Sequence, residues 1–548
     1  MINKSGKKRE EDHSRVFVSG VLLLSCSTIL IKILGLAYKI PMMSLLGAEG
    51  MGYFNSAYEI YTLLCLAATT GLPVAVSMMV SAENSKGDVG AIKRILNIAM
   101  SIACAVGFLG VFLLLFFGKA ITGFVGNANA FKCVVAIAPS LLCVCVSSIY
   151  RGYFQGFNRM LPTAVSQIIE TLGKLVLGVA FAYFGIKKQY DMPTVAALAA
   201  LGLTFGMMVS SAYLFFQKKP VSSLTSEDNN GNARMLFKFL CLIAVPITIS
   251  SLVTGLSKII DMTLILRRLQ DSGTAVIDAN KMYGAYTTLA VPLFSLIPSL
   301  VAPISLALVP SISSAIERKS KSEQIDIASN AIRLTALLAV PASMGLVVFS
   351  FPVLRALFSG EEQSVSFSAP LLSVLGAAVL FSCVITTTNA ILHAYKKTIF
   401  PLASMLLGAC AKFVSAYFLI GDTRIGIFGA PISTLICDAF VATINLMGVF
   451  RLVPDIKHTV LSLWRVLVAS LLSISVSVYA YTVTAKRFDN VYISLGCAIV
   501  VAFVLYLIGS FALKSLTSED IMLLPCGEKI VSALKNRSAK DDGGKNDG

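Results

Sequence analysis

The chain has 548 residues, 56% of them hydrophobic and 14% charged, with a formal net charge of +16 and a mean hydropathy of +0.80. Soluble domains are about 45–50% apolar and about 25% charged, so a soluble fold of this size would expose more apolar surface than soluble monomers do; the same numbers exclude disorder. Long, nearly uncharged runs recur along the chain and set the class as an all-α polytopic membrane protein, since membrane β-barrels use short alternating strands instead.

In chain order the sequence predicts fourteen transmembrane helices: 16–37, 53–80, 95–117, 133–150, 161–185, 193–216, 239–265, 283–312, 334–351, 367–392, 399–420, 427–450, 466–484 and 491–513. The first follows Lys4, Lys7, Lys8 and Arg9; it is too long for a signal-peptide core and is read as a retained helix. The predicted organisation is a basic cytoplasmic N-terminus (1–15), a six-helix lobe (16–217), a cytoplasmic linker (218–238), a second six-helix lobe (239–452), two extra helices (453–513) and a polar cytoplasmic tail (514–548).

Orientation follows from the distribution of Lys and Arg. Of the 45, 29 fall in the termini and the loops on their side, 12 in the opposite loops, and four inside spans: Lys32, Lys174, Lys258 and Lys412. The bias places both termini in the cytoplasm. The positive charge is then topological and attracts anionic lipid; it is not a nucleic-acid footprint.

The two six-helix sets read as a duplication. Thr28-x-Leu30-x-Lys32-Ile33 returns as Thr254-x-Leu256-x-Lys258-Ile259, 226 residues on. Pro73 and Pro303 are 230 apart, while Arg159 and Lys397, like Lys174 and Lys412, are 238 apart. Repeats of this kind place a substrate site at their interface and rock around it.

Enzyme chemistry finds no footing. Most of the twelve cysteines lie in apolar runs with no CxxC pair, and buried Cys behaves as a small hydrophobe. The histidines, His13, His393 and His458, all avoid the middle of a span, so neither a metal site nor a cofactor is expected. No phosphate-binding, dinucleotide or nucleophile-elbow motif stands in a suitable context.

Charges inside the membrane carry the chemistry. Each costs about 2.5–3.5 kcal/mol at the bilayer centre, so Lys32, Glu59, Glu170, Lys174, Lys258, Asp261, Lys412 and Asp438 together would cost on the order of 20 kcal/mol facing lipid. They must pair or line a hydrated space. Glu170 and Lys174 (i, i+4) and Lys258 and Asp261 (i, i+3) are spaced to pair on their own helices, or to serve a substrate. Lys32 and Lys412 have their nearest acidic residues more than a turn away in sequence; Asp438 is a cross-helix candidate, and Lys32 is the foremost substrate contact. Glu59 is placed near the outer end of the second helix, and Arg151 reads as a topology residue. Prolines, four of them in the eighth span, predict a kink there; Pro73, Pro298 and Pro303 are candidate gating positions. Gly152-x-x-x-Gly156 and Gly202-x-x-x-Gly206 allow close helix packing.

Lys32-Ile-Leu-Gly35-Leu-Ala-Tyr-Lys-Ile-Pro41, Gly47-Ala-Glu-Gly50-Met-Gly52-Tyr-Phe, Gly71-Leu-Pro73-Val-Ala-Val-Ser77, Tyr150-Arg-Gly-Tyr-Phe-Gln-Gly156 and Pro162-Thr-Ala-Val-Ser-Gln167-Ile-Ile-Glu170 resemble the stage V sporulation protein B family of polysaccharide-biosynthesis membrane proteins. The resemblance covers essentially the whole chain. It implies the MOP superfamily, shared with MurJ-type lipid II flippases and MATE exporters, with two lobes in a V around a central cavity plus two further helices. It also implies a Gram-positive, spore-forming type of source. MurJ-type flippases place basic residues in the first, second and eighth helices. Lys32 matches the first of these, Lys39 lies beside the next, where Tyr38 stands, and the second helix has no Lys or Arg.

The expected function is therefore a flippase for an undecaprenyl-pyrophosphate-linked wall precursor, lipid II or a related glycan, with membrane potential or Na+/H+ as the driving force. A MATE-like cation-coupled exporter and a wall-synthesis scaffold are the competing classes. The expected partners are the lipid-linked anionic glycan, membrane lipids and wall-synthesis enzymes, with the chain acting as a monomer and no nucleic acid bound. The substrate-binding candidates are Lys32, Lys39, Glu59, Glu170, Lys174, Lys258, Asp261, Lys412 and Asp438.

Overall fold

A computed structural model describes residues 3–217, 233–456 and 461–513. The side chains before Ser27, most of the 218–238 linker and the 514–548 tail lie outside the described residues. Everything regular in the described residues is helical. The segments, in chain order, are α1 (residues 3–46), α2 (residues 48–69, continuing as Gly71–Lys86), α3 (Val89–Val125), α4 (Phe131–Ile137 and Ser140–Gly156), α5 (Met160–Lys187) and α6 (Met192–Gln217). They continue as α7 (Ala233–Asp271), α8 (Val276–Ala285, a π-helical turn Tyr286–Ala290, and Val291–Glu317), α9 (Lys321–Val348), α10 (Glu362–Ala394), α11 (Ile399–Gly421), α12 (Gly429–Leu452), α13 (Trp464–Phe488) and α14 (Val491–Ala512). Among the described residues eleven stretches are long and apolar enough to cross a membrane, or twelve counting α4 as one span bent by 46°. That count takes Ser27–Lys86 once, although Gly47 divides it, and does not include α7.

The first two segments differ from the sequence expectation. The predicted helices end at 37 and resume at 53, which leaves 38–52 as a connection. Instead the helix runs on to residue 46, turns at Gly47 (φ 62, ψ −175) and resumes at once. A left-handed φ costs a side-chain-bearing residue energy and glycine none, so one residue replaces the loop. Lys39 consequently lies inside α1. Glu59 lies eleven residues into α2, about 16 Å along it at 1.5 Å per residue, well away from the helix end where it was placed.

Backbone conformation exposes the duplication. Apart from Asp489 in the α13–α14 turn, every positive-φ residue among those described belongs to a matched pair. Gly47 pairs with Gly273, Gly87 with Lys319, Gly126 with Gly360, Asn158 with Lys396, and Gln189 with Gly426. The offsets are 226, 232, 234, 238 and 237 residues, the same drift as between the repeated lysines and prolines. The α4–α5 and α10–α11 turns even share their hydrogen bonds: Arg159 N to Phe154 O at 2.9 Å, and Lys397 N to Leu392 O at 3.0 Å.

Spatially, the chain forms two compact units. One comprises Met1–Leu293, Gly360–Ser368 and Lys412–Ser433; the other Phe294–Ser359, Ala369–Ala411 and Thr434–Gly548. This spatial division cuts through α8, whereas the repeat boundary falls between α6 and α7. The first unit packs around Val76, Val80, Ile95, Ala99 and Ile149, the second around Ile312, Ala328, Ile391 and Val449. The outer faces are apolar, as lipid requires: Phe116 is 71% and Phe216 82% exposed. Small residues set the tightest contacts. A Cβ on Gly152 would lie 2.5 Å from the Pro73 carbonyl oxygen of α2, and one on Gly202 would lie 2.2 Å from Gly178 N of α5. Glycine there lets backbones touch.

Candidate functional site

The site is built on α1, α2, α4, α5 and α6, all in the first unit. On α2, Tyr58, Thr62, Cys65 and Thr69 share one face at helical spacing. With Arg151 and Gln155 from α4, and Gln167 and Glu170 from α5, they line a cavity of about 410 Å³. The α4–α5 turn at Asn158 folds the helices antiparallel and brings Arg151 back opposite Ser166 and Glu170. Arg151 Nη2 donates to Glu170 Oε2 at 2.9 Å, and Nε donates to Ser166 Oγ at 3.0 Å. Ser210 of α6 donates to the Ser166 carbonyl at 2.8 Å and closes the network. Arg151 is thus an interior ion-pair partner, correcting its reading as a topology residue. A guanidinium offers a planar fork that one ammonium cannot match.

That pairing also corrects the expected Glu170–Lys174 pair. Lys174, one turn further along α5, has its ammonium over three rings: Tyr58 at 4.4 Å, Tyr38 at 4.7 Å and Phe54 at 5.5 Å from the ring centroids. The negative ring faces attract the cation. Among the described residues Lys174 makes no ion pair. Lys39, on the same α1 as Tyr38, donates to the Thr287 carbonyl of α8 at 2.7 Å. Thr287 lies in the π-helical turn Tyr286–Ala290, just ahead of Pro292, and a π turn leaves carbonyls outside the regular ladder. Asn55 fixes the same turn by donating to the Thr287 and Thr288 hydroxyls at 2.9 and 2.8 Å. Glu59 Oε2 is buried and accepts no hydrogen bond from the described residues, within electrostatic reach of Lys39.

The second-half charges are arranged differently. Lys412 of α11 is paired with Asp261 of α7, which corrects the expected Lys258–Asp261 pair; Lys258 is exposed. Lys32 on α1 and Asp438 on α12 are both half-buried. Pro73 is buried and lines the cavity. In α8, helical structure runs on through Pro298, Pro303 and Pro310, and the irregular turn is the π segment before them. No group of three or more His, Cys, Asp and Glu among the described residues could hold a metal.

A polar tie joins the repeats at one end of this unit. Arg267 of α7 donates to the carbonyls of Gly123 (2.6 Å) and Phe124 (2.9 Å), and Gln270 donates to that of Gly126 (2.7 Å). They cap the C-terminal end of α3, where a cation also meets the negative end of the helix dipole. Asn127 donates to Ser56 and to Asn280, which in turn donates to the Glu49 carbonyl.

Sequence reasoning missed Tyr58, Asn55, Gln155 and the ring cage. The signals were present: aromatics at 54 and 58 one turn apart, and two glutamines inside the quoted motifs.

The model of the polysaccharide biosynthesis protein family matches residues 17–316, more than half of the chain. The chain belongs to that family. A MatE model matches residues 278–418. Two relatives of this family member come from Bacillus subtilis (strain 168). Stage V sporulation protein B is 25% identical over 473 residues, covering 85% of this chain and 90% of the relative. The lipid II flippase MurJ is 29% identical over 424 residues, covering 73% and 77%. Among solved structures, a lipid II flippase MurJ in an inward closed conformation aligns with a TM-score of 0.66 at 17% identity, over 89% of this chain and 98% of that one. An inward-facing multidrug resistance MATE transporter of the MOP superfamily aligns at 0.61 and 14%, over 79% and 99%. This family member has the MOP fold and is a multi-pass membrane protein.

Proposed function

We propose that the chain is a flippase that carries an undecaprenyl-pyrophosphate-linked wall precursor, lipid II or a related lipid-linked glycan, from the inner to the outer leaflet by alternating access. The observation that carries this reading is Lys174. Its ammonium sits on aromatic faces and makes no ion pair among the described residues, with Lys39 nearby, so an incoming pyrophosphate can take it as a counter-ion. With Arg151 paired to Glu170 and Glu59 near Lys39, the two lysines leave the site with one net positive charge. Kinship with a protein named as a lipid II flippase supports the substrate class.

In this reading both termini are cytoplasmic, fourteen helices cross the membrane, and the chain works as a monomer in the plasma membrane of a Gram-positive-type cell, beside wall-synthesis enzymes. Lys32, Glu59, Lys258 and Asp438 complete the candidate contacts, and Pro73, Pro298 and Pro303 the candidate gating positions. A negative-inside potential contributes about 2.3 kcal/mol per charge per 100 mV to export of a polyanion, so potential, or Na+/H+, drives the cycle. The tie from Arg267 and Gln270 to α3 is the contact that outward opening must break. The test is lipid II exposure to an external probe in proteoliposomes under an applied potential. Potential-dependent exposure is expected; a folded protein that exposes none contradicts the lipid II assignment, and cation-driven drug efflux in its place favours an exporter.

A further inference from the structure

The cavity beside Lys174 has a chemistry of its own. Its two charged wall residues, Arg151 and Glu170, are paired with each other at 2.9 Å, so their charges offset each other. Four of its hydroxyls are already committed as donors. Thr62 donates to the Tyr58 carbonyl at 2.7 Å, Thr69 to Cys65 O at 2.8 Å, Thr70 to Leu66 O at 2.7 Å, and Ser148 to Cys145 O at 2.7 Å. A hydroxyl whose proton is spent on its own helix presents only lone pairs to its surroundings. These four hydroxyls therefore offer acceptors, which a ligand with O–H or N–H groups can use and a phosphate cannot. Gln155 and Gln167 add amides able to donate and accept. Thr163, 2% exposed and on the same wall, has a hydroxyl with no hydrogen-bond partner among the described residues. The volume, about 410 Å³, lies in the range of small-molecule sites. Tyr58 and Tyr61 supply ring surface for an apolar C–H face.

Tyr58 joins the two chemistries. Its ring carries the Lys174 ammonium at 4.4 Å and it also lines the cavity. In a pyrophosphate-linked glycan the first sugar is bonded directly to the phosphate. We propose that this cavity is the subsite for that sugar, a neutral hexose with O–H and N–H donors, beside a pyrophosphate held at Lys174. The proposal rests on the flippase reading and adds that the glycan is recognised inside the first repeat, by neutral hydrogen-bonding groups.

The test compares two probes on the full chain in nanodiscs: undecaprenyl pyrophosphate, and undecaprenyl pyrophosphate carrying one N-acetylglucosamine. The wild type should prefer the sugar-bearing probe by about tenfold, the effect of one or two hydrogen bonds. Gln167→Leu should remove the preference while keeping the affinity for the bare probe. Thr163→Val should weaken the preference and leave the melting temperature equal or higher, because it replaces an unpaired buried hydroxyl. Lys174→Gln should weaken both probes by a similar factor. Equal wild-type affinity for the two probes, or a preference that survives in folded Gln167→Leu and Thr163→Val proteins, overturns the sugar subsite alone. No binding of either probe overturns both this proposal and the flippase reading.

Discussion

The two repeats solve the same structural problem with different chemistry. In the first, Arg151 of α4 meets Ser166 and Glu170 of α5 and Ser210 of α6. At the 238-residue offset, α10 and α11 carry Asn389 and Ser404 in place of Arg151 and Ser166, and Gly408 in place of Glu170. There Asn445 of α12 donates to Asn389 at 2.7 Å and accepts from Ser404 at 2.6 Å. A charged network and a neutral amide network occupy equivalent places. The lysines diverge similarly. Lys412 is matched by Asp261, whereas the residue at the first-repeat position of Asp261 is Gly35, so Lys174 rests on rings instead. The counterparts of Phe54 and Tyr58 in the second repeat are Gly284 and Thr288. Duplication preserved the turns, while the surroundings of the equivalent lysines diverged: a carboxylate beside Lys412 and aromatic rings beside Lys174.

The largest effect that would break this contrast is on Arg151. Arg151→Leu leaves the half-buried Glu170 without its partner. The side chains are 16% and 27% exposed, which puts the cost near the lower end for a buried pair, about 3 kcal/mol. A melting curve in detergent should show the loss, and adding Glu170→Leu should recover most of it.

Next come the two lysines. Lys412→Met should destabilise by about 2 kcal/mol by orphaning Asp261, and Lys412→Met with Asp261→Leu should return toward wild type. Lys174→Met should cost only about 0.5–2 kcal/mol of cation–π attraction. Its transport should nonetheless fail, while that of the Lys412/Asp261 double variant persists. The opposite pattern of transport would exchange the roles of the repeats.

Much of this was legible in the sequence. Apolar runs located the helices, because lipid demands long uninterrupted spans, but not all their ends: α1 begins at residue 3 and α9 at residue 321, each 13 residues before the expected bound. The offsets of Lys32, Pro73 and Lys174 located the repeat. The pairing of charges was not legible. Spacing along one helix favoured Glu170 with Lys174 and Lys258 with Asp261, yet the partners come from other helices, Arg151 and Lys412, the latter 151 residues distant from Asp261. Rotation of neighbouring helices decides such pairs, and no local pattern encodes it. The single-residue turn at Gly47 was missed because a loop was expected where one glycine suffices.

A smaller effect concerns the neutral network. Asn445→Ala removes two hydrogen bonds and should cost about 1–2 kcal/mol, read by thermal melting, with transport retained. The smallest lies at the α5–α6 turn. Asp191 accepts from Lys132 at 2.7 Å and from Thr194 at 2.6 Å. These hydrogen bonds hold its carboxyl below the usual range. A lowered pKa stabilises the fold above the unfolded value, near pH 4, and the benefit is lost as pH falls through the folded one. Asp191→Asn should therefore cost under about 1 kcal/mol at pH 7, as exposed pairs do, and the gap from wild type in melting temperature should close in acid.

The division between the repeats stands or falls on one comparison. Labelled lipid II exposure should be followed in proteoliposomes under an applied potential for the wild type, Lys174→Gln, and Lys412→Met with Asp261→Leu. We predict exposure in the wild type and in the double variant, and its loss in Lys174→Gln at equal protein content. Wild-type exposure by Lys174→Gln, with loss in the double variant, would contradict the assignment of ligand chemistry to the first repeat.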